Sequence, residues 1–125
     1  MRYLLMISAA ETDEDAALDD GTPSAEDRER QRSEGIAAFT SWLDELLARG
    51  VLRAHEGLQP SATATTVRVR GDQVLLTDGP YLEAKEQIGG LALIEVDDLD
   101  QAIEIAAAHP ACAWGQVEIR PLRNS

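Results

Sequence analysis

Asp78-Gly79-Pro80 is the tripeptide whose residue types most directly offer chemistry. Aspartate can accept a backbone N–H within a turn, glycine admits dihedrals closed to other residues, and proline fixes the bend that follows. Two readings stand open: a rigid turn after a hairpin strand, or a carboxylate held stiffly at the mouth of a cleft, as general acid–base work requires. Tyr81, Glu83, Lys85 and Glu86 follow within a few residues. The Tyr81 ring is expected to fill an apolar site while its hydroxyl finds water or a partner. Glu83, Lys85 and Glu86 offer the lining of a pocket in which Lys85, the only lysine of the chain, pairs with a substrate carboxylate. As an ordinary surface ion pair the same residues would contribute only ~0–1 kcal/mol.

Glu56 is the second candidate carboxylate. On a regularly alternating strand Leu52, Ala54, Glu56 and Leu58 share one face, and Arg53 and His55 share the other. Glu56 then stands in line with apolar neighbours, where burial would raise its pKa toward a catalytic range. The same alternation turns His55 away from it and argues against a Glu56–His55 dyad. His109, at a predicted helix end, reads as a cap in which a cation suits the helix dipole. The two histidines lie far apart in sequence and Cys112 is the only cysteine, so metal-ligand spacing is absent. Phosphate-loop and nucleophile-elbow motifs are absent too, and no cofactor is expected.

The elements that must position these residues follow from hydrophobic spacing. Arg2–Ser8 is a short run apolar on both faces, which places it inside a sheet. A helix begins near residue 23 or 25, capped by Thr22 before Pro23 or by Ser24 with Asp27. Ile36, Phe39, Leu43, Leu46 and Leu47 form its stripe, and Gly50 ends it. The Glu56 strand comes next, then a hairpin from Thr65–Arg70 through a Gly71-Asp72 turn to Gln73–Thr77. After the polar central segment, Leu91-Ala92-Leu93-Ile94 reads as a central strand, with Gly89-Gly90 before it marking a bulge or a close backbone approach. Asp98 and Gln101 make a capping box for a second helix that buries Leu99, Ala102, Ile103 and Ala106. Gln116–Leu122 is the last strand, with Val117 and Ile119 inward. Trp42 and Trp114 are expected in the core or at a dimer contact.

The order β-α-β-β-β-β-α-β describes an α+β fold, a ferredoxin-like split βαβ with an added hairpin. Two helices cover one sheet face, and the opposite face needs a cover, for which a second copy packing sheet on sheet is the simplest. At 125 residues the chain is one domain, 1–125. Its net charge of −12 repels phosphates and so argues against nucleic acid and anionic membranes. Glu11 to Asp20 carries six acids and no base, and residues 9–22 read as an acidic loop insertion. A lone cysteine, expected buried, and an N-terminal apolar run too short for a signal core or a span suit the cytoplasm.

Longer motifs add a resemblance. Thr66-Val67-Arg68, the run Thr77 to Gly90 around Asp78-Gly79-Pro80-Tyr81, and Ile94 to Ala102 resemble the YCII-related family. Within it they are similar to the branch with a DGPF motif, with Glu56-Gly57-Leu58-Gln59-Pro60 and Val117 to Leu122 extending the match. The resemblance implies a ferredoxin-like fold whose homodimer forms an α/β barrel. It implies much less about activity, and the candidates remain those read from the residues: Asp78 and Glu56 as catalytic, and Thr66, Arg68, Pro80, Tyr81, Glu83, Lys85 and Glu86 as ligand contacts. A His–Asp pair proposed for some members has no counterpart, since no histidine occurs between Pro23 and Gly50. Two functions are implied: a small-molecule binder or cofactor-free enzyme, or an accessory protein acting on an extracytoplasmic-function sigma factor.

Overall fold

The computed structural model describes residues 1–11, 24–81 and 84–124. The acidic loop from residue 12 onward, the Thr22-Pro23 cap and Glu83 lie outside the described residues. The elements are β1 (Arg2–Ala10), α1 (Ala25–Arg49), β2 (Leu52–Gly57), β3 (Thr65–Arg70), β4 (Gln73–Asp78), β5 (Glu86–Glu95), α2 (Leu99–Ala107) and β6 (Gly115–Pro121). Short 3₁₀ turns sit at Ser61–Thr63 and Pro110–Ala113. The predicted element order holds, though residues 9 and 10, expected in the loop, extend β1.

Local chemistry explains the boundaries. The Ser24 side chain accepts the Asp27 N–H, so the second of the two expected caps starts α1. Gly50 closes α1 at φ 70°, where its N–H reaches the last-turn carbonyls. The Asp98 carboxylate accepts the Gln101 N–H and starts α2.

Four strands form one antiparallel sheet in the order β2-β5-β1-β6, and β3 and β4 form a separate two-stranded ribbon. The core lies on one face of the sheet. Tyr3, Leu5, Ala92 and Ile94 meet Trp42 and Leu46 of α1 and Ala102, Ile105 and Ala106 of α2. The indole N–H of Trp42 donates to the Ile105 carbonyl at 2.9 Å, joining the helices. Ile103 and Leu99, expected inside, are exposed, and Ile105 takes the inner position. Ile36 and Leu47 of the α1 stripe are exposed as well, because α1 meets the core only around Trp42, Leu43 and Leu46. On the other sheet face Leu4, Met6, Leu91 and Leu93 are half-buried.

Two bulges reset the strand faces. Leu52 pairs with Ile94 but Ala54 with the adjacent Leu93, so Arg53 is an extra residue in β2. Ile7 pairs with Gly90 but Ser8 with Ile88, so Gly89 is an extra residue in β5. The second of these realises one of the two readings of the Gly89-Gly90 pair.

Candidate functional site

A one-residue slip moves every following side chain to the opposite face. Beyond Arg53, His55 therefore pairs with the buried Ala92 and faces the helices, whereas Glu56 pairs with Leu91 on the open face. This reverses the assignment drawn from plain alternation, and Glu56 is exposed rather than enclosed. Arg53 holds the bulge, with Nη1 donating to the Gly50 carbonyl at 2.7 Å and Nε to Glu95 at 3.1 Å.

His55 opens onto a cavity of about 990 Å³ at the end of the sheet where β1 finishes and β5 begins. Phe39 and Trp42 of α1 form one wall, and His109 and Trp114 from the segment after α2 form another. The floor is small and apolar: Ile7, Ala9, Gly89, Gly90 and Ala92. Gln59 and Gln87 add amides, and Glu11 stands at the end of β1. Phe39 and Trp42 stack at 6.2 Å, and the histidines meet them edge to face, with centroids 6.5 Å apart for Phe39–His55, 5.7 Å for Phe39–His109 and 4.7 Å for Trp42–His109. The two histidines, far apart in sequence, thus flank one phenylalanine.

His109 has a defined chemical state. Its Nδ1 accepts the Ala111 N–H at 3.0 Å, capping the 3₁₀ turn. That bond fixes the ring proton on Nε2, which has no hydrogen-bond partner among the described residues. Burial holds the pKa of His109 below the usual imidazole value, which favours the neutral ring. Capping was expected, but by a cation at a helix C-terminus; the ring instead serves a turn N-terminus as a neutral acceptor. It is 8% exposed and presents one N–H donor.

Glu11 is fixed as well. One carboxylate oxygen accepts the Ser61 N–H at 2.7 Å and the other accepts the Ser61 hydroxyl at 2.6 Å. These bonds hold its pKa below the ordinary carboxylate value, so it stays ionised. The clasp ties the end of β1 to the linker between β2 and β3.

The Asp78 turn lies next door. Gly79, at φ 96°, donates its N–H to the Ala64 carbonyl at 2.7 Å, and its carbonyl accepts the Thr66 hydroxyl at 2.8 Å. These bonds realise the rigid-turn reading, and they occupy the Thr66 hydroxyl. The Asp78 carboxylate is exposed and lines a shallower recess of about 580 Å³ with Gly79, Pro80 and Lys85. Glu11, Ala62 and Gln87 border both cavities. The structure therefore groups Asp78, Pro80 and Lys85 in the recess, while Glu56 lines the larger cavity beside it. Arg68 lies on the exposed ribbon opposite Leu75, Glu86 is exposed at the start of β5, and neither lines a cavity. Tyr81 is 69% exposed and fills no apolar site.

Sequence reasoning missed His55, His109, Phe39 and Trp114 as cavity residues. Only the bulge and the tertiary fold bring them together. Cys112, expected buried, is exposed, with its thiol donating to the Ala106 carbonyl at 3.2 Å. Among the described residues no group of acids, histidines and cysteines is arranged to hold a metal, and no helix is long and apolar enough to cross a membrane.

Among curated proteins the chain is similar to the uncharacterized protein R00369 of Rhizobium meliloti (strain 1021), at 38% identity over 69 residues. The match covers 52% of this chain and 54% of the relative, so the chain spans about half the length of that protein. The model of the YCII-related domain matches residues 1–124, and the chain belongs to the YCII-related domain family.

Proposed function

We propose that this chain is a small-molecule binder or cofactor-free enzyme whose ligand occupies the aromatic and histidine-lined cavity, with the Asp78 recess as its outer edge. The single observation carrying this reading is the buried His109 ring, with its unpaired Nε2–H on a cavity walled by Phe39, Trp42 and Trp114. Apolar walls with few fixed polar groups are the usual character of a ligand site. Asp78 and Lys85 border the neighbouring recess, where they can meet the polar end of a longer ligand.

The strand order β2-β5-β1-β6, with both helices on one face, supports the ferredoxin-like reading. A homodimer of the α/β-barrel type is supported by Leu4, Met6, Leu91 and Leu93 on the face without helices. Membership of the DGPF-motif branch rests on Asp78-Gly79-Pro80-Tyr81. The second reading, an accessory protein contacting an extracytoplasmic-function sigma factor, draws on the exposed ribbon. Val67, Val69, Val74 and Leu76 share one face there and are 59, 56, 64 and 67% exposed.

Tryptophan fluorescence and thermal shift against a library of small aromatic and enolic compounds test the first reading. Ligand responses should be lost in Phe39→Ala and kept in Asp78→Asn. The reverse pattern would move the site to the turn, and a flat response across the library would favour the accessory reading.

A further inference from the structure

The charges around the cavity narrow the class of ligand. We infer that it selects aromatic compounds that are neutral or positively charged and excludes aromatic acids. This rests on the cavity being the ligand site.

Among the described residues, no lysine or arginine lines the cavity. The fixed hydrogen-bond donor in its depth is the Nε2–H of a neutral imidazole, which suits a hydroxyl or carbonyl oxygen and leaves a full negative charge uncompensated. Two carboxylates line it, Glu56 of β2 and Glu11, the latter locked by Ser61 and ionised. Phe39, Trp42 and Trp114 present ring faces and edges, and ring faces attract cations. The adjoining recess does not reverse this balance. Lys85, the one ammonium lining it, is set against two carboxylates, Glu11 and Asp78. An anion bound across both cavities would meet more negative than positive charge. The chain as a whole, at −12, also disfavours the approach of anions. Lys85 therefore does not recruit a substrate carboxylate, being outnumbered by the acids that line the recess with it.

The test uses three compounds that share one phenethyl scaffold: phenethylamine, phenethyl alcohol and hydrocinnamate. They are titrated into the full chain at about pH 8, where an imidazole of ordinary pKa is uncharged. Tryptophan quenching and calorimetry give the affinities. The amine and the alcohol should each bind about tenfold or more tightly than the acid. Glu11→Gln should weaken the amine about fivefold, strengthen the acid, and leave the alcohol unchanged, since an exposed charge acts at close range through solvent. Equal or tighter binding of hydrocinnamate would overturn the charge selection and leave the cavity as the ligand site. Failure of all three to bind would remove the site itself. If Glu11→Gln weakened all three alike, Glu11 would shape the cavity through its clasp rather than by charge, and the charge selection would fall.

Discussion

The cavity end of the sheet and the β3–β4 ribbon solve opposite problems with similar residues. Both are built from apolar side chains punctuated by charge. At the cavity, Trp42 is 5% exposed with its indole N–H bonded, and His109 is held by packing and a hydrogen bond, while Trp114 is 66% exposed. On the ribbon, the apolar face stands in solvent, and the Asp78 turn at its base is pinned to the start of β3. An isolated two-stranded ribbon is marginal in water. One region is largely enclosed by its own fold, and the other leaves an apolar face open. In the proposed readings, ligand binding belongs to the first and partner contact to the second.

Stability offers the largest contrast. Trp42→Ala removes a buried ring and a buried hydrogen bond, and should cost about 3–5 kcal/mol in denaturant unfolding. Leu76→Ala, on the ribbon, should stay within about 0.5 kcal/mol when measured dilute enough for the chain to be monomeric. A large Leu76 effect under those conditions would mean that the ribbon packs within its own chain.

Assembly sharpens the same comparison. Leu4→Asp, on the sheet face of the proposed homodimer, should weaken self-association by tenfold or more in sedimentation equilibrium, as an unpaired charge forced into an apolar contact does, whereas Leu76→Asp should not. Its thermal-shift response to cavity ligands should not change. An unaltered association constant for Leu4→Asp, or a lowered one for Leu76→Asp, would move the self-contact from the sheet to the ribbon.

A smaller effect is the pH dependence. His109 titrates lower in the folded chain than in the unfolded one, where its pKa is about 6.5. As pH falls from neutrality through that unfolded value, the unfolded chain takes up a proton first and stability declines. His109→Asn, whose amide oxygen can still accept the Ala111 N–H, should flatten that part of the profile. Glu11 acts in a separate, more acidic window. Its folded pKa is lowered from 4.5, so its stabilisation is present above that value and disappears as pH falls through the folded one.

Much of the frame was legible because its signals are local. Ser24 and Asp98 announce helix starts, Gly50 a helix end, and Gly71-Asp72 a hairpin turn, each within a few residues. The inner face of α2 was less legible, since Ile103 and Ile105 both fit a helical stripe and only packing chooses between them. The cavity was not legible at all. Its histidines come from distant segments, and the face that His55 presents depends on a bulge with no signature in the residues around it. The Asp78 tripeptide drew notice through its composition, yet its neighbours use it as a fastening.

The extra residue at Arg53 behaves like a frameshift within a strand. Every side chain after it exchanges sides, so a single inserted or lost codon decides whether the imidazole or the carboxylate faces the helices. Neither His55 nor Glu56 would need to mutate. In a family that keeps this frame, two members could carry the same pair of letters here and perform different chemistry. The length of β2, more than the identity of its residues, is then the character to compare between them.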